Sequence, residues 1–217
     1  MPTISETKRL FLDIETGKSP DYALFEPKYK EPKKNKDGTD SKTSKSIDQQ
    51  KADFENSCAL SPLTGQVLMV GMDFRSEDDI EYQGLGCDEK TLLEITVNSY
   101  INCADIVIGH YIKEFDLPFI VNRCRKHGIT PPSVGGFYKG RWQWNANIID
   151  LKDLWTFGKF GEYISLNNMA KYFGLEPKDE TIGESFEQVF NTDIEKAIAY
   201  CKHDIELTKQ IYKKLKH

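Results

Sequence analysis

Leu10-Phe11-Leu12-Asp13-Ile14-Glu15-Thr16-Gly17 places two carboxylates inside an apolar run near the start of the chain. Residue preference there argues for a β-strand and against acidic side chains, so their presence calls for compensation. Side chains alternate across a strand, which puts Asp13 and Glu15 on one face, about 6.6 Å apart at ~3.3 Å of rise per residue. Leu10, Leu12 and Ile14 take the other face. The pattern predicts a strand buried on one side and committed to a polar site on the other. A divalent cation could hold both acids, which points to a metal-dependent enzyme.

Outward from this strand, the 217 residues and a hydrophobic fraction of 39% suit a single globular domain over 1–217 with one buried core. A net charge of −5 gives no overall basic signal and argues against a pure DNA-binding module. The charge is segregated, however. Residues 18–60 lose apolar periodicity and carry Pro20, Pro27, Pro32 and Gly38. Between Lys28 and Lys51 there are eight lysines against four acids, a local +4 that leaves −9 on the rest. This lysine-rich insertion reads as a solvated, partly disordered loop, or as a flexible cationic arm that collects phosphate backbone. Cys58, Cys87, Cys103, Cys124 and Cys201 form no Cys-x-x-Cys pair. With an odd count and no signal peptide they predict reduced thiols and a cytoplasmic location, and they exclude zinc fingers. No apolar stretch approaches the roughly 20 residues of a membrane span.

Beyond the insertion the pattern recovers. Pro62-Leu63-Thr64-Gly65 is a turn, 66–74 a strand, 75–79 a polar connection and 80–85 a second strand, together a hairpin. Asp88 or Glu89 opens a helix, 105–110 is a short buried strand, and Asp116-Leu117-Pro118 starts a helix that Gly128 ends. Residues 137–150 are expected to be extended, ending at Ile148-Ile149-Asp150. Short helices follow near 151–157, 165–173 and 183–190, and a long one spans 193–215. This order predicts an α/β protein with a mixed β-sheet flanked by α-helices.

Two further acids stand in informative contexts. Asp116, after Phe115, sits at a strand-to-helix junction, where an N-cap is the simplest reading. Tyr200 and Asp204 are four residues apart on the last helix and therefore share a face. The apolar stripe of Ile194, Ile198, Cys201, Ile205, Thr208 and Leu215 places both along its edge.

Taken together, Phe-Leu-Asp13-Ile-Glu15-Thr, Gly-His110-x-x-x-x-Phe-Asp116-Leu-Pro and Tyr200-Cys-x-x-Asp204-Ile-Glu-Leu-Thr resemble the three motifs of the DEDD 3'-5' exonucleases of the ribonuclease H-like superfamily. Tyrosine four residues before the last Asp matches the DEDDy branch. The sister branch carries histidine where this chain has Ala199. The motifs are similar to those of the exonuclease domain of family-B DNA polymerases. One position departs: the family often has asparagine five residues before the second-motif Asp, and here it is Tyr111, which could stack on a base.

The resemblance implies a ribonuclease H-like fold and a two-metal phosphodiesterase using Mg²⁺ or Mn²⁺. Asp13, Glu15, Asp116 and Asp204 would be the ligands and Tyr200 would orient the attacking water. It also implies a nucleic-acid partner, single-stranded DNA shortened from a free 3' end. An exoribonuclease and a non-catalytic nucleic-acid-binding module of the same fold are the alternatives. No polymerase motifs follow, so a proofreading role would need a replication or repair partner in trans. Candidate substrate contacts are His110, Tyr111, Phe115 and, in the base-and-aromatic stretch 138–144, Arg141 and Trp142. His110 reads equally as a buried, hydrogen-bonded side chain, and 138–144 as an ordinary strand with one aromatic face. Asp150 reads as a helix cap.

Overall fold

Alternation along the first strand is as the sequence dictates: Leu10, Leu12 and Ile14 are buried, while Phe11, Asp13 and Glu15 are half-buried on the opposite face. The computed structural model describes residues 7–35, 44–74, 77–82, 87–132, 147–159, 161–184 and 186–216. The elements in order are β1 (Arg9–Lys18), α1 (Ile47–Ser57), β2 (Gly65–Phe74), β3 (Glu77–Tyr82), α2 (Glu89–Ile95), β4 (Ile106–Gly109), α3 (Asp116–Lys126), β5 (Ile148–Asp150), α4 (Leu151–Thr156), α5 (Leu166–Tyr172), α6 (Glu180–Glu184), α7 (Phe186–Thr192) and α8 (Ile194–Leu215).

The five strands form one mixed sheet in the order β3-β2-β1-β4-β5. β1 runs parallel to β4, with Leu10 opposite Val107 and Phe11 opposite Ile108, and β4 runs parallel to β5. β2 and β3 form the expected hairpin, antiparallel, with Phe74 opposite Glu77. The hairpin's second strand departs from expectation. It begins at Glu77, inside the segment read as a polar connection, and ends at Tyr82 rather than Leu85. β3 lies at the sheet's edge, where pairing to one neighbour holds a strand without requiring apolar side chains. The helix expected near 183–190 is two helices, α6 and α7.

The chain divides into two compact units, one of Met1–Glu15 with Val67–His217 and one of Thr16–Gln66. In the first, Leu10, Leu12 and Ile14 pack with Val67 and Val107, with Leu92 and Leu93 of α2, and with Leu117 and Ile120 of α3. On the other face Ile108 packs with Leu151, Met169 and Ala170, and with Leu207 and Ile211 of α8. Phe11 joins that second cluster and meets Tyr212 edge-on at 5.6 Å. The sheet is therefore covered by helices on both faces, the arrangement an α/β layer requires. A close approach sets α8: a Cβ on Gly71 of β2 would lie 2.7 Å from Cys201 Sγ and 2.9 Å from an Ile205 carbon. Any larger residue at 71 would lift the helix off the sheet.

The unit of Thr16–Gln66 contains the insertion read as a loop, and part of it is helical. Ser46 and Gln49 form a capping box that starts α1, and Lys45 pairs with Asp53 at 2.5 Å. α1 buries no residue, which is why apolar periodicity does not reveal it; the Ser-x-x-Gln cap was the available signal. No disulfide joins any of the five cysteines, and no helix among the described residues is long and apolar enough to cross a membrane.

Candidate metal centre

The polar face of β1 meets α8. Asp13, Glu15 and Asp204 each bring a carboxylate oxygen into a cluster whose atoms all lie within 4.8 Å of one another. α8 begins at an Asp193 cap and holds Asp204 1% exposed and Tyr200 6% exposed. Both lie inside the buried face, not along its edge. Ala197, Cys201, Ile205, Thr208 and Ile211 are buried, whereas Ile194 and Ile198 are only partly so. α6 and α7 pack on the first half of α8, with Ile182 and Phe186 against Ala197 and Tyr200, and this covers a flank that helical periodicity would leave open.

Asp116 joins from the start of α3. α3 starts at Asp116 itself, after Phe115, which makes no side-chain cap. The Asp116 carboxylate instead accepts the Ile14 N–H at 2.9 Å, tying the second motif to the first. This corrects the capping reading: a β1 donor buried between strands is the stronger claimant for the carboxylate.

Gathering these acids makes each harder to ionise. Burial, then the Asp204 charge, pushes Asp13 up to about 7. Burial and the Asp13 charge hold both Glu15 and Asp116 well above the carboxylate range, and burial raises Asp204. Among the described residues Lys178 answers them. Lys178 Nζ lies 2.7 Å from Asp204 Oδ2 and 5.2 Å from the Tyr200 ring centroid. Burial works against its ammonium, but Asp204 and Asp13 overcome that and hold it above the usual lysine range. The Tyr200 hydroxyl is held above the usual phenol range by burial, then by Asp204. That hydroxyl occupies space left by Gly183 of α6, where a Cβ would come within 2.6 Å of it.

The cluster suits a hard divalent cation. Its donors are carboxylate oxygens, and Asp204 Oδ1 is buried with no hydrogen-bond partner among the described residues. Among the described residues Lys178 is the lysine paired with the cluster, against four acids.

The other residues singled out in the sequence lie as follows. His110 follows β4, and its ring nitrogen Nδ1 is buried without a partner among the described residues. Tyr111 is half-buried with φ 58°, in the left-handed region. Phe115 packs against the α2–α3 core and lies 5.5 Å from the Phe119 ring. Arg141 and Trp142 lie outside the described residues. Asp150 caps α4 through Lys152 N at 2.9 Å, as expected, and also accepts from Tyr111 N at 3.0 Å and Lys113 N at 3.2 Å. The sequence reading missed Lys178 and Gly183. Lys178 lies in the loop before α6, and Gly183 lies in α6, a helix of 5 residues too short to show a period.

A two-sided α/β sheet with a carboxylate cluster between its first strand and last helix defines a class that comparison places further. A family model described as RNase_H superfamily matches residues 53–216, and the chain belongs to that superfamily. The match begins after β1, so Asp13 and Glu15 lie outside it. The fold over 96% of the chain is similar to part of a family B DNA polymerase from the hyperthermophilic archaeon Pyrobaculum calidifontis, with a TM-score of 0.63 and 17% identity. The chain spans 24% of that polymerase. None of the curated proteins matches the sequence significantly.

Proposed function

We propose that this chain is a divalent-metal-dependent 3'-5' exonuclease, a single exonuclease domain that hydrolyses phosphodiester bonds from the free 3' end of single-stranded DNA. The observation that carries this reading is the convergence of Asp13, Glu15 and Asp204, with Asp116 tied to β1 beside them. Membership of the RNase H superfamily and the resemblance of all three motifs to the DEDDy exonucleases support it.

Asp13, Glu15 and Asp204 would hold one Mg²⁺ or Mn²⁺, and Asp13 with Asp116 a second. Bound ions supply the charge that lowers the pKa of the attacking water and offsets charge on the scissile phosphate. The protein's own groups do the rest. Tyr200 keeps its proton, because burial and Asp204 oppose ionisation, so it orients the water and does not act as a base. Gly183 leaves room for that hydroxyl. Lys178 holds Asp204 in place and brings a fixed positive charge to the site. The cationic tract between Lys28 and Lys51 offers counterion release to a phosphate backbone.

The test is a pair of 5'-labelled single strands of matched sequence, one DNA and one RNA, incubated with Mg²⁺, Mn²⁺ or EDTA. A metal-dependent DNA ladder shortening from the 3' end is expected. Faster shortening of RNA would make it an exoribonuclease, and binding without cleavage would make it a binding module.

A further inference from the structure

Lys178, the cation at the carboxylate cluster, stands in the segment 175–179 between α5 and α6, which has no regular secondary structure. A chain without a ladder must send its backbone polar groups elsewhere. The Leu175 N–H donates to the Ala170 carbonyl at 2.8 Å, and Pro177 has no N–H to give. Lys178 directs both of its backbone groups to one side chain. Its N–H donates to Asn167 Oδ1 at 2.8 Å, and its carbonyl accepts from Asn167 Nδ2 at 3.0 Å. The same Nδ2 donates to Glu180 Oε1 at 2.8 Å. A backbone N–H only donates and a carbonyl only accepts, so the two contacts fix which end of the amide faces which group.

The clasp is mounted on a fixed element. Asn167 lies in the first turn of α5 and is 3% exposed. Ser165 caps that helix by accepting the Asn168 N–H at 3.1 Å, and Met169 and Ala170 pack it onto the sheet. At the other end of the lysine, Nζ lies 2.7 Å from Asp204 Oδ2. A lysine is a compact charge on a flexible four-carbon stem, so its place is only as definite as its two ends. Asp204 fixes the head and Asn167 fixes the root. The bond to Glu180 extends the hold to the first residue of α6, the helix that carries Gly183. A buried carboxylate in place of the amide would have no proton to give the Lys178 carbonyl, and a hydrocarbon would leave both backbone groups unmet.

We propose that Asn167 is a positioning residue for the metal centre, clasping the backbone of Lys178 so that its ammonium is delivered to Asp204. It acts through Lys178 and takes no part in the bond-breaking step. This rests on the exonuclease reading and extends it from the residues at the cluster to the one that sets their cation in place.

Two measurements test it. The first is acetylation of Lys178 by an N-hydroxysuccinimide ester in EDTA, followed by peptide mass spectrometry; the second is the single-turnover rate on a 5'-labelled single strand with Mg²⁺. Asn167→Ala is expected to raise the labelling rate of Lys178 about threefold or more, while the exposed Lys213 and Lys214 label as in wild type. It should slow hydrolysis about tenfold and leave affinity for the strand in EDTA unchanged. Asn168→Ala, one residue along on the exposed side of α5, should change neither. In a Lys178→Met background, adding Asn167→Ala should alter the rate by less than about twofold, because the side chain through which it acts is already gone. An asparagine that served only the stability of the fold would slow hydrolysis equally in both backgrounds, and that result overturns the proposal. So does unchanged labelling of Lys178 in Asn167→Ala. Asn167→Asp, which keeps the volume and the acceptor for the Lys178 N–H but loses the donors, carries the same comparisons if the alanine variant does not fold. A wild type that cuts neither DNA nor RNA, with Lys178 still unmasked by Asn167→Ala, breaks the exonuclease reading and sustains this one.

Discussion

Two buried charge clusters lie on opposite faces of the sheet, and they are built on opposite principles. On the α2–α3 side, Glu89 accepts from Val67 N at 2.8 Å, from Arg123 through Nε at 2.8 Å and a terminal nitrogen at 2.5 Å, and from His127 at 2.7 Å. Burial alone would raise Glu89, but the bonds from Arg123, Val67 and His127 overcome it and hold the carboxyl below its usual range. On the α8 side, Asp13, Glu15, Asp116 and Asp204 are all raised, and among the described residues Lys178 pairs with Asp204 while Asp204 Oδ1 has no hydrogen-bond partner. The first cluster is balanced and closed, as a structural ion pair must be to offset its desolvation. The second is a deficit of positive charge held in place by the fold. Burial of charge does not by itself mark a functional site; burial without balance does.

The comparison breaks most sharply on substitution. Asp13→Asn is expected to lower metal-dependent hydrolysis by about 10³-fold or more while leaving the thermal midpoint in EDTA unchanged or higher, because it relieves repulsion. An inactive variant that is also strongly destabilised without metal would dissolve the contrast. Glu89→Ala should do the reverse, costing about 3–5 kcal/mol in urea unfolding by breaking the buried ion pair with Arg123, with activity per folded molecule retained.

The pH dependence of stability sharpens it next. A carboxyl raised to about 7 when folded carries a proton that the unfolded chain, at its ordinary 3.8, has already lost. Stability from this group is therefore greatest at low pH and falls as pH rises toward and through about 7. His110, held down to about 4, opposes that trend below its ordinary 6.5 because the unfolded ring binds a proton there and the folded ring does not. Between pH 6.5 and 8 the carboxylates dominate. Calorimetry in EDTA should show the melting temperature falling over that interval, with Asp13→Asn flattening the slope. Mg²⁺ or Mn²⁺ should stabilise the protein more at pH 8 than at pH 6.

The smallest effects concern the water-orienting hydroxyl. Gly183→Ala places a carbon within 2.6 Å of the Tyr200 oxygen and should slow hydrolysis about tenfold by displacing it. Tyr200→Phe, which deletes the hydroxyl without crowding, should cost no more than Asp13→Asn by a wide margin. Parity of Tyr200→Phe with Asp13→Asn in single-turnover rates would give the phenol a larger part than orientation.

Much of this was legible before any coordinates. The two-residue period of 10–15 separated core from site, the hairpin followed from two strand runs joined by a short polar connection, and Asp88 opened its helix. Three of the readings that failed did so for reasons visible in the structure. β3 starts in an acidic stretch because an edge strand is held by its ladder, not by apolar content. α1 buries nothing, so it lacks the period by which helices are recognised. Asp116 has the sequence context of a cap and serves β1 instead, since the Ile14 N–H reaches it from 102 residues away.

The sequence by itself determined which residue types the site would hold and which face of β1 would carry them. Alternation and the four-residue helical repeat are local geometry, set by covalent bonds and near neighbours. Only the tertiary structure decided that the site would be short of charge. It sends Lys178 to Asp204, keeps a carbon out of the way at Gly183, seals the flank of α8 with α6 and α7, and leaves Nδ1 of His110 and Oδ1 of Asp204 unpaired among the described residues. Those facts depend on groups far apart in the chain meeting where water has been removed, and removing water is what turns a set of acids into a demand for cations.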